Sequence, residues 1–393
     1  MRPHTGVLGV ALLITGGCSE PLQFADWTLP VEAGTRVMEY AHVPVEERDT
    51  AIDWVEELVI GDRGNVDGRY AFTRPLDVAV DARGQIYVAD PQAAAVKVFD
   101  AQGEYLRELG REGQGPGEFQ DPRSVASFGD MVVVGASRNA RWSHFDLDGN
   151  HVADHAYPIY DNLEVVLATD DDRLIGSTLG FDTPEEAVRG FGIYSPQAEL
   201  IDALVEYTSA NTPTIQRGTR STFFSGMPHA IPAVAISSAG VAYWSMSDEY
   251  QVLAIGPDGE QSWALRVAMT PDPLSREAID DVMERVRSSY EDATESEVTF
   301  PDRFPAIRRI LVDGHGHVYV FPYTWVGMPG AATTADVAVP VDVYSAEGER
   351  LFTGMSPQRS WAHFDGDHVW EIGSDPDTEE NVVRKMRLVE PFE

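Results

Sequence analysis

The feature that most constrains this chain is a unit that recurs along it. The clearest copy starts at Pro75. Leu76 to Val80 alternates as a strand, Asp81-Ala82-Arg83-Gly84 turns, and Gln85 to Ala89 forms a second strand. Asp90 to Ala95 is a loop, Val96 to Phe99 a third strand, and Ala101-Gln102-Gly103 turns into a fourth, Tyr105 to Leu109. Short alternating runs separated by Gly, Asp and Asn positions read as an antiparallel meander. One such meander has two apolar faces and cannot bury both alone; stacking copies around an axis buries them all. Further copies fall at 124–152, 163–204, 233–267, 310–352 and 362–389. The last copy lacks a fourth strand. Trp54 to Ile60 stands where an outer strand should precede the first copy, because Phe72 and Pro75 recur at one interval as Phe119 and Pro122. The expectation is an all-β chain: a six-bladed β-propeller of four-stranded antiparallel blades, closed by that N-terminal strand. Closure removes the free edge faces that an open array would leave.

The residues that carry the repeat also carry a resemblance. Pro75-Leu76-Asp77-Val78-Ala79-Val80-Asp81, Gly84-Gln85-Ile86-Tyr87-Val88-Ala89-Asp90 and Gly113-Gln114-Gly115-Pro116-Gly117-Glu118-Phe119 resemble the NHL-repeat family and the bacterial six-bladed propeller lipoproteins near it. The match is specific over 58–149 and looser but regular over 160–390. It implies a toroid with ligand or partner sites on one face. It implies no single activity, since propellers host binding modules, scaffolds, lyases and lactonases alike.

The N-terminus reads as an address. Arg2 precedes an apolar run from Val7 to Ile14 that is too short to span a bilayer, where about 20 apolar residues are needed. Gly16-Gly17-Cys18 then resembles a lipobox, with Thr15 where Leu is usual. The expected order is a signal peptide at 1–17, a lipid-anchored tether and lead-in segment at 18–50 with Pro21, Pro30 and Pro44, and the propeller at 51–393, with a helical insertion at 270–306. Lipidation accounts for Cys18, the only cysteine; the alternative is an ordinary signal peptide with Cys18 incidental. The expected location is exported, anchored to the periplasmic or outer membrane surface, with the lipid as the one membrane contact.

Charge limits the partners. With 29 Lys and Arg against 64 Asp and Glu, the formal net charge is −35. Such a surface repels nucleic acid and anionic headgroups. It suits cations, basic proteins or neutral ligands, or simply keeps the chain soluble. The 43% hydrophobic content is enough for a large core and argues against disorder.

Two connections exceed simple turns. Glu206 to Ala230 carries Arg217, Arg220, Phe223, Phe224 and His229, a set suited to an anionic or aromatic ligand, or to a loop pinned by its phenylalanines. Thr270 to Ala306 contains Arg276 to Tyr290 with apolar residues at helical spacing behind a Ser275 cap, either a rim helix or a lid. Aligning the turns sets Asp77, Arg123, Val165, Ala233, Arg309 and Ser360 at equivalent inner-strand positions, with Arg74, Arg308 and Arg359 nearby. Those arginines are expected near one channel mouth, as internal ion pairs with Asp77 and Glu164 or as a pocket for a carboxylate or phosphate.

No nucleophile elbow, P-loop or His-Glu-x-x-His is present. His315-Gly316-His317, Asp170-Asp171-Asp172 and Asp146-Leu147-Asp148-Gly149 could hold a metal, Ca²⁺ for the aspartates, but each falls where the repeat needs a turn. No cofactor and no catalytic or metal-ligand set is therefore assigned, with Ca²⁺ as the one cofactor considered. The expected function is a monomeric, non-enzymatic binding or scaffold protein of the cell envelope that takes an envelope protein or small ligand at a propeller face. The alternative is a lactonase-like hydrolase or lyase with a channel metal, for which the aligned positions offer only Asp77.

Overall fold

The computed structural model describes residues 29–61, 68–157, 164–169, 173–183, 186–208, 214–217, 220–223, 228, 230, 232–325, 338–357, 361–366, 368–375 and 377–389. The chain opens with β1 (Arg36–Ala41) and β2 (Asp53–Gly61). Blade one is β3 (Asp77–Val80), β4 (Ile86–Asp90), β5 (Ala95–Phe99) and β6 (Tyr105–Leu109). Blade two is β7 (Pro122–Phe128), β8 (Met131–Ala136), β9 (Arg141–Asp146) and β10 (His151–Ala156). Blade three is β11 (Glu164–Ala168), β12 (Leu174–Thr183), β13 (Glu186–Tyr194) and β14 (Leu200–Thr208). A hairpin of β15 (Thr214–Arg217) and β16 (Arg220–Phe223) follows. Blade four is β17 (Ala233–Ile236), β18 (Ala242–Ser245), β19 (Gln251–Ile255) and β20 (Gln261–Ala268), and helix α1 (Arg276–Ser289) comes next. Blade five is β21 (Ile307–Val312), β22 (Val318–Pro322), β23 (Ala338–Tyr344) and β24 (Arg350–Pro357). Blade six is β25 (Trp361–Asp365), β26 (His368–Ser374) and β27 (Asn381–Val389), completed by β2.

The fold is thus the expected six-bladed propeller. The first strand of each blade lines the axis: β3 meets β7, β7 meets β11, β17 meets β21, and β25 meets β3 to shut the ring. Closure works as the sequence predicts. β2 runs antiparallel to β27 from Asp53 opposite Val389 to Gly61 opposite Val382.

Local chemistry sets the hairpins. In blade one the Asp81 carboxylate accepts the amides of Arg83 and Gln85, each at 2.8 Å, and the Tyr87 hydroxyl at 2.9 Å. Blade five repeats the device: Asp313 accepts from His315 (2.9 Å), His317 (2.8 Å) and the Tyr319 hydroxyl (3.0 Å). An Asp at the first turn position mimics a backbone acceptor, and Gly84 and Gly316 take the positive φ values, 77° and 82°, that close the turn. Between blades, alternate residues form separate apolar layers. Ala79, Tyr87 and Ala89 pack on Val125, Val132 and Val134, while Val78, Ile86 and Val88 pack on Trp370 and Val383 of blade six. Each large side chain so buried contributes about 1.5–3 kcal/mol.

Residues 29–50, the described part of the segment read as tether and lead-in, are built into the propeller. β1 adds to blade four as a fifth strand, parallel to β20, from Arg36 opposite Trp263 to Ala41 opposite Ala268. Its partner lies far along the chain and needs no hairpin, so no turn signal announces it. The chain then crosses the outside of blade five, where the Ile52 amide donates to Met355 O at 2.7 Å and Met355 N donates to Thr50 O at 2.9 Å. Arg48 enters that blade and pairs with Asp342 at 3.0 Å, their side chains only 1% and 3% exposed. The same guanidinium donates to Val341 O and Gly354 O, and Tyr250 donates its hydroxyl to Asp342 at 2.7 Å. A buried pair is tolerable only with its remaining donors and acceptors met in this way. Residues 29–61 therefore strap blades four, five and six, with Leu29 wedged beside Leu204 and Ile236 between blades three and four.

Candidate functional site

An antiparallel meander sorts its connections onto two faces. First-to-second and third-to-fourth strand turns share one face. Crossings from an outer strand to the next inner strand, and second-to-third strand loops, share the other. Both insertions are outer-to-inner crossings, so both rise from the same face. They also pack together there. Ile215 of β15 bridges Val298, and Ile215 is buried with Val282, Met283 and Val286 of α1 and with Ala293. The helix matches the sequence expectation: the Ser275 hydroxyl caps it by accepting the Ala278 amide at 3.1 Å. Nothing in the sequence marks the convergence of the two insertions. The backbones of Arg217, Arg220 and Phe223 form the hairpin; their side chains, and all of Phe224 and His229, lie outside the described residues.

Strand register places the arginines. In blade five Ile307 faces Pro322 and Arg309 faces Phe321, so Arg308 is the extra residue of a β-bulge. In blade two Pro122 faces Ala136 and Ser124 faces Gly135, so Arg123 is the extra residue there. Val78, Val125 and Ile310 each face the preceding blade. Asp77 is therefore matched by Ser124 and Arg309, and Arg123 is matched by Arg308: the shorter turn of blade two, with Phe128 facing Met131 where blade one has Val80 facing Ile86, shifts the turn-based alignment by one there. Asp77 ties two inner strands, its Oδ2 accepting Val125 N at 2.9 Å. Arg123 lies 3.6 Å from Asp121, which the Ser137 hydroxyl also holds, at 2.7 Å. Arg74 is exposed; its amide and that of Thr73 anchor to the fully buried Asp90 carboxylate. Arg359 and Ser360 lie outside the described residues.

Arg308 and Arg309 keep different company. Burial lowers the Arg309 pKa to about 10, helped by the positive charge of Arg308. Burial raises the Tyr323 phenol to about 12, with Arg308 opposing it. Arg308 therefore lies near both Tyr323 and Arg309, its neighbour in the strand. Tyr323 is held by its amide, which donates to Ala306 O at 3.0 Å, while Ala306 N donates to Ser247 O at 2.7 Å. Phe304 stacks on Tyr323 (centroids 5.5 Å apart, planes 21°) and on Trp325 (5.9 Å, 28°). Trp325 in turn lies against the inserted helix unit. Blade four, blade five and the insertions thus meet at a partly open shelf of three rings beside two guanidiniums. Sequence reading passed over Phe304, Tyr323 and Trp325. Their signal was the aromatic density of Phe300 to Phe304 and Phe321 to Trp325.

The turn motifs do structural work. The Asp146 carboxylate accepts the amides of Asp148 and Asn150, and His317 Nδ1 sits 3.0 Å from Asp313. Asp170-Asp171-Asp172 and Cys18 lie outside the described residues. Among the described residues no three His, Cys, Asp or Glu side chains come together as a metal cage, and no helix is long and apolar enough to cross a membrane.

Comparison with known proteins agrees with this architecture. Residues 76–231 match the family model DUF5128, described as a 6-bladed beta-propeller. A Caenorhabditis elegans protein named as a probable peptidyl-alpha-hydroxyglycine alpha-amidating lyase, pgal-1, is 28% identical over 189 residues, 47% of this chain and 49% of that protein. The matched region thus spans about half the length of that relative. Among solved structures, a Bacteroides fragilis protein provisionally described as exported superposes with a TM-score of 0.52 at 10% identity, over 90% of this chain and all of that one. A virginiamycin B lyase from Staphylococcus aureus superposes at 0.39 and 10% identity, over 86% of this chain and 100% of the lyase.

Proposed function

We propose that this chain is an exported binding protein of the bacterial envelope, held by acyl chains on Cys18, that takes its ligand or partner on the face bearing the insertions. One observation carries the reading: two insertions from separate crossings, hairpin β15–β16 and helix α1, fuse into one apolar body over blades four and five. A propeller needs neither to close its ring. Structure added to one face of a rigid scaffold is where binding chemistry is usually built. The likeness to the Bacteroides fragilis protein supports export. The test is a photo-crosslinking residue at Glu284, exposed on α1, against one at Asp148 on the turn face, both in native envelopes. The reading expects a specific adduct from Glu284 alone. Adducts from Asp148 alone would reject the insertion face. Cys18→Ser should release the protein from the membrane fraction.

A second reading is favoured by the likeness to the amidating lyase. In it the same face is the mouth of a lyase channel. Incubation of the purified protein with a peptidyl-alpha-hydroxyglycine, with and without added divalent metal, decides it: turnover favours the lyase, and none under either condition rejects it.

A further inference from the structure

Resting on the insertion face as the binding face, we propose that the junction of blades four and five is a site for an aryl carboxylate, a flat aromatic body carrying a single carboxylate. Three independent features of the junction point to that chemistry.

The first is shape. Phe304 lies nearly parallel to both Tyr323 and Trp325, and all three rings are only partly buried. Such a shelf offers flat apolar area for offset stacking, and its rings are fixed at both ends, by the Tyr323 amide on Ala306 and by Trp325 against the insertions. A pre-ordered surface loses little entropy when a flat ligand lands on it.

The second is the pair of guanidiniums. The bulge sets Arg308 and Arg309 side by side on the innermost strand of blade five. Arg308 is exposed and close enough to Tyr323 for its charge to act on the phenol. A guanidinium fork matches a carboxylate in plane and spacing. A monoanion fits better than a phosphate dianion, because a chain of net charge −35 repels the second charge as strongly as the first.

The third is a set of unmet polar atoms. Ser247 Oγ, Thr324 Oγ1 and Trp325 Nε1 are buried with no hydrogen-bond partner among the described residues. Ser247 is fully buried, and its carbonyl is the acceptor for Ala306. Indole and guanidinium groups only donate. A Ser or Thr hydroxyl can donate as well as accept, so an acceptor can satisfy any of the three, and leaving such groups unmet is costly.

The experiment titrates the full chain with benzoate, phenylphosphate, benzyl alcohol and acetate, by calorimetry and by tryptophan fluorescence. Benzoate should bind at least about 10-fold more tightly than benzyl alcohol or acetate. Arg308→Gln and Tyr323→Leu should each weaken benzoate about 10-fold or more while melting as wild type does. The proposal is overturned if benzoate does not bind, if benzyl alcohol equals it, if phenylphosphate exceeds it, or if Arg308→Gln binds as wild type. Crosslinking from Glu284 reads the face without reference to ligand chemistry. An adduct there with no benzoate binding would discard the carboxylate and leave the insertion face standing.

Discussion

The two halves of the ring are built alike and finished differently. Blades one and two close with short turns, and their outer strands β6 and β10 pair with no further strand among the described residues. Blades four, five and six are wrapped by residues 29–61, through β1, the Thr50–Met355 contacts and β2. The insertions and the aromatic shelf stand on that wrapped side. The extra pairing runs along the outer strand of blade four, and the Arg48–Asp342 pair is buried on the third strand of blade five against Tyr250. The difference teaches that bracing and recognition are separable here. The rim carries the added stability, so residues facing the junction are free to be chosen for a ligand.

The sharpest way to break this comparison is Asp342→Ala. It strands the Arg48 charge and the Tyr250 hydroxyl, so stability should fall by about 3–5 kcal/mol, read as a lowered denaturant midpoint. Arg48→Met with Asp342→Leu should recover most of the loss, and failure to recover would show that the strap is held by something else. The bare half should show its own weakness in acid. His144 of β9 is 5% exposed, stacked edge-on to His155 with centroids 5.0 Å apart and near Phe128, with His151 and Asp154 also acting on it. Burial lowers its pKa from 6.5 to about 4, and the positive charge of His155 adds to this. The unfolded chain therefore binds more protons than the folded one between those values, and stability is lost as the pH falls through that window. His144→Phe should flatten the acid limb of the stability curve by about 2 kcal/mol; an unaltered limb would absolve this histidine. The smallest effect is expected at the shelf. Arg308→Gln should change stability by no more than about 0.5 kcal/mol, and a larger loss would mean that the site and the brace are not separable after all.

Much of this was legible in the sequence because it is periodic or local. Gly-bearing turns, alternating strands and the paired recurrence of Phe72 and Pro75 specify the blades. The orphan strand at Trp54 specifies closure, and Ser275 with its apolar spacing specifies the helix. What escaped depends on partners far apart in the chain. β1 is six residues whose parallel partner is β20, and parallel addition leaves no turn to read. The turn of blade two is shorter than that of blade one, so counting from turns set Arg123, the extra residue of a bulge, where Ser124 belongs. The shelf unites Phe304 with Tyr323 and Trp325 across a strand pair, and the two insertions meet only because the ring is closed.

The zip between β2 and β27 also dictates an order of events. Glu57 and Arg387 are joined at 2.7 Å although they lie 330 positions apart. A chain emerging from its amino end must therefore keep β2, with its apolar Trp54 and Ile60, waiting until the last blade exists. Contacts of such long range form slowly, and a waiting strand invites wrong partners. Newly made copies should depend on a holding chaperone until the final strand arrives, and refolding in vitro should become less efficient as protein concentration rises.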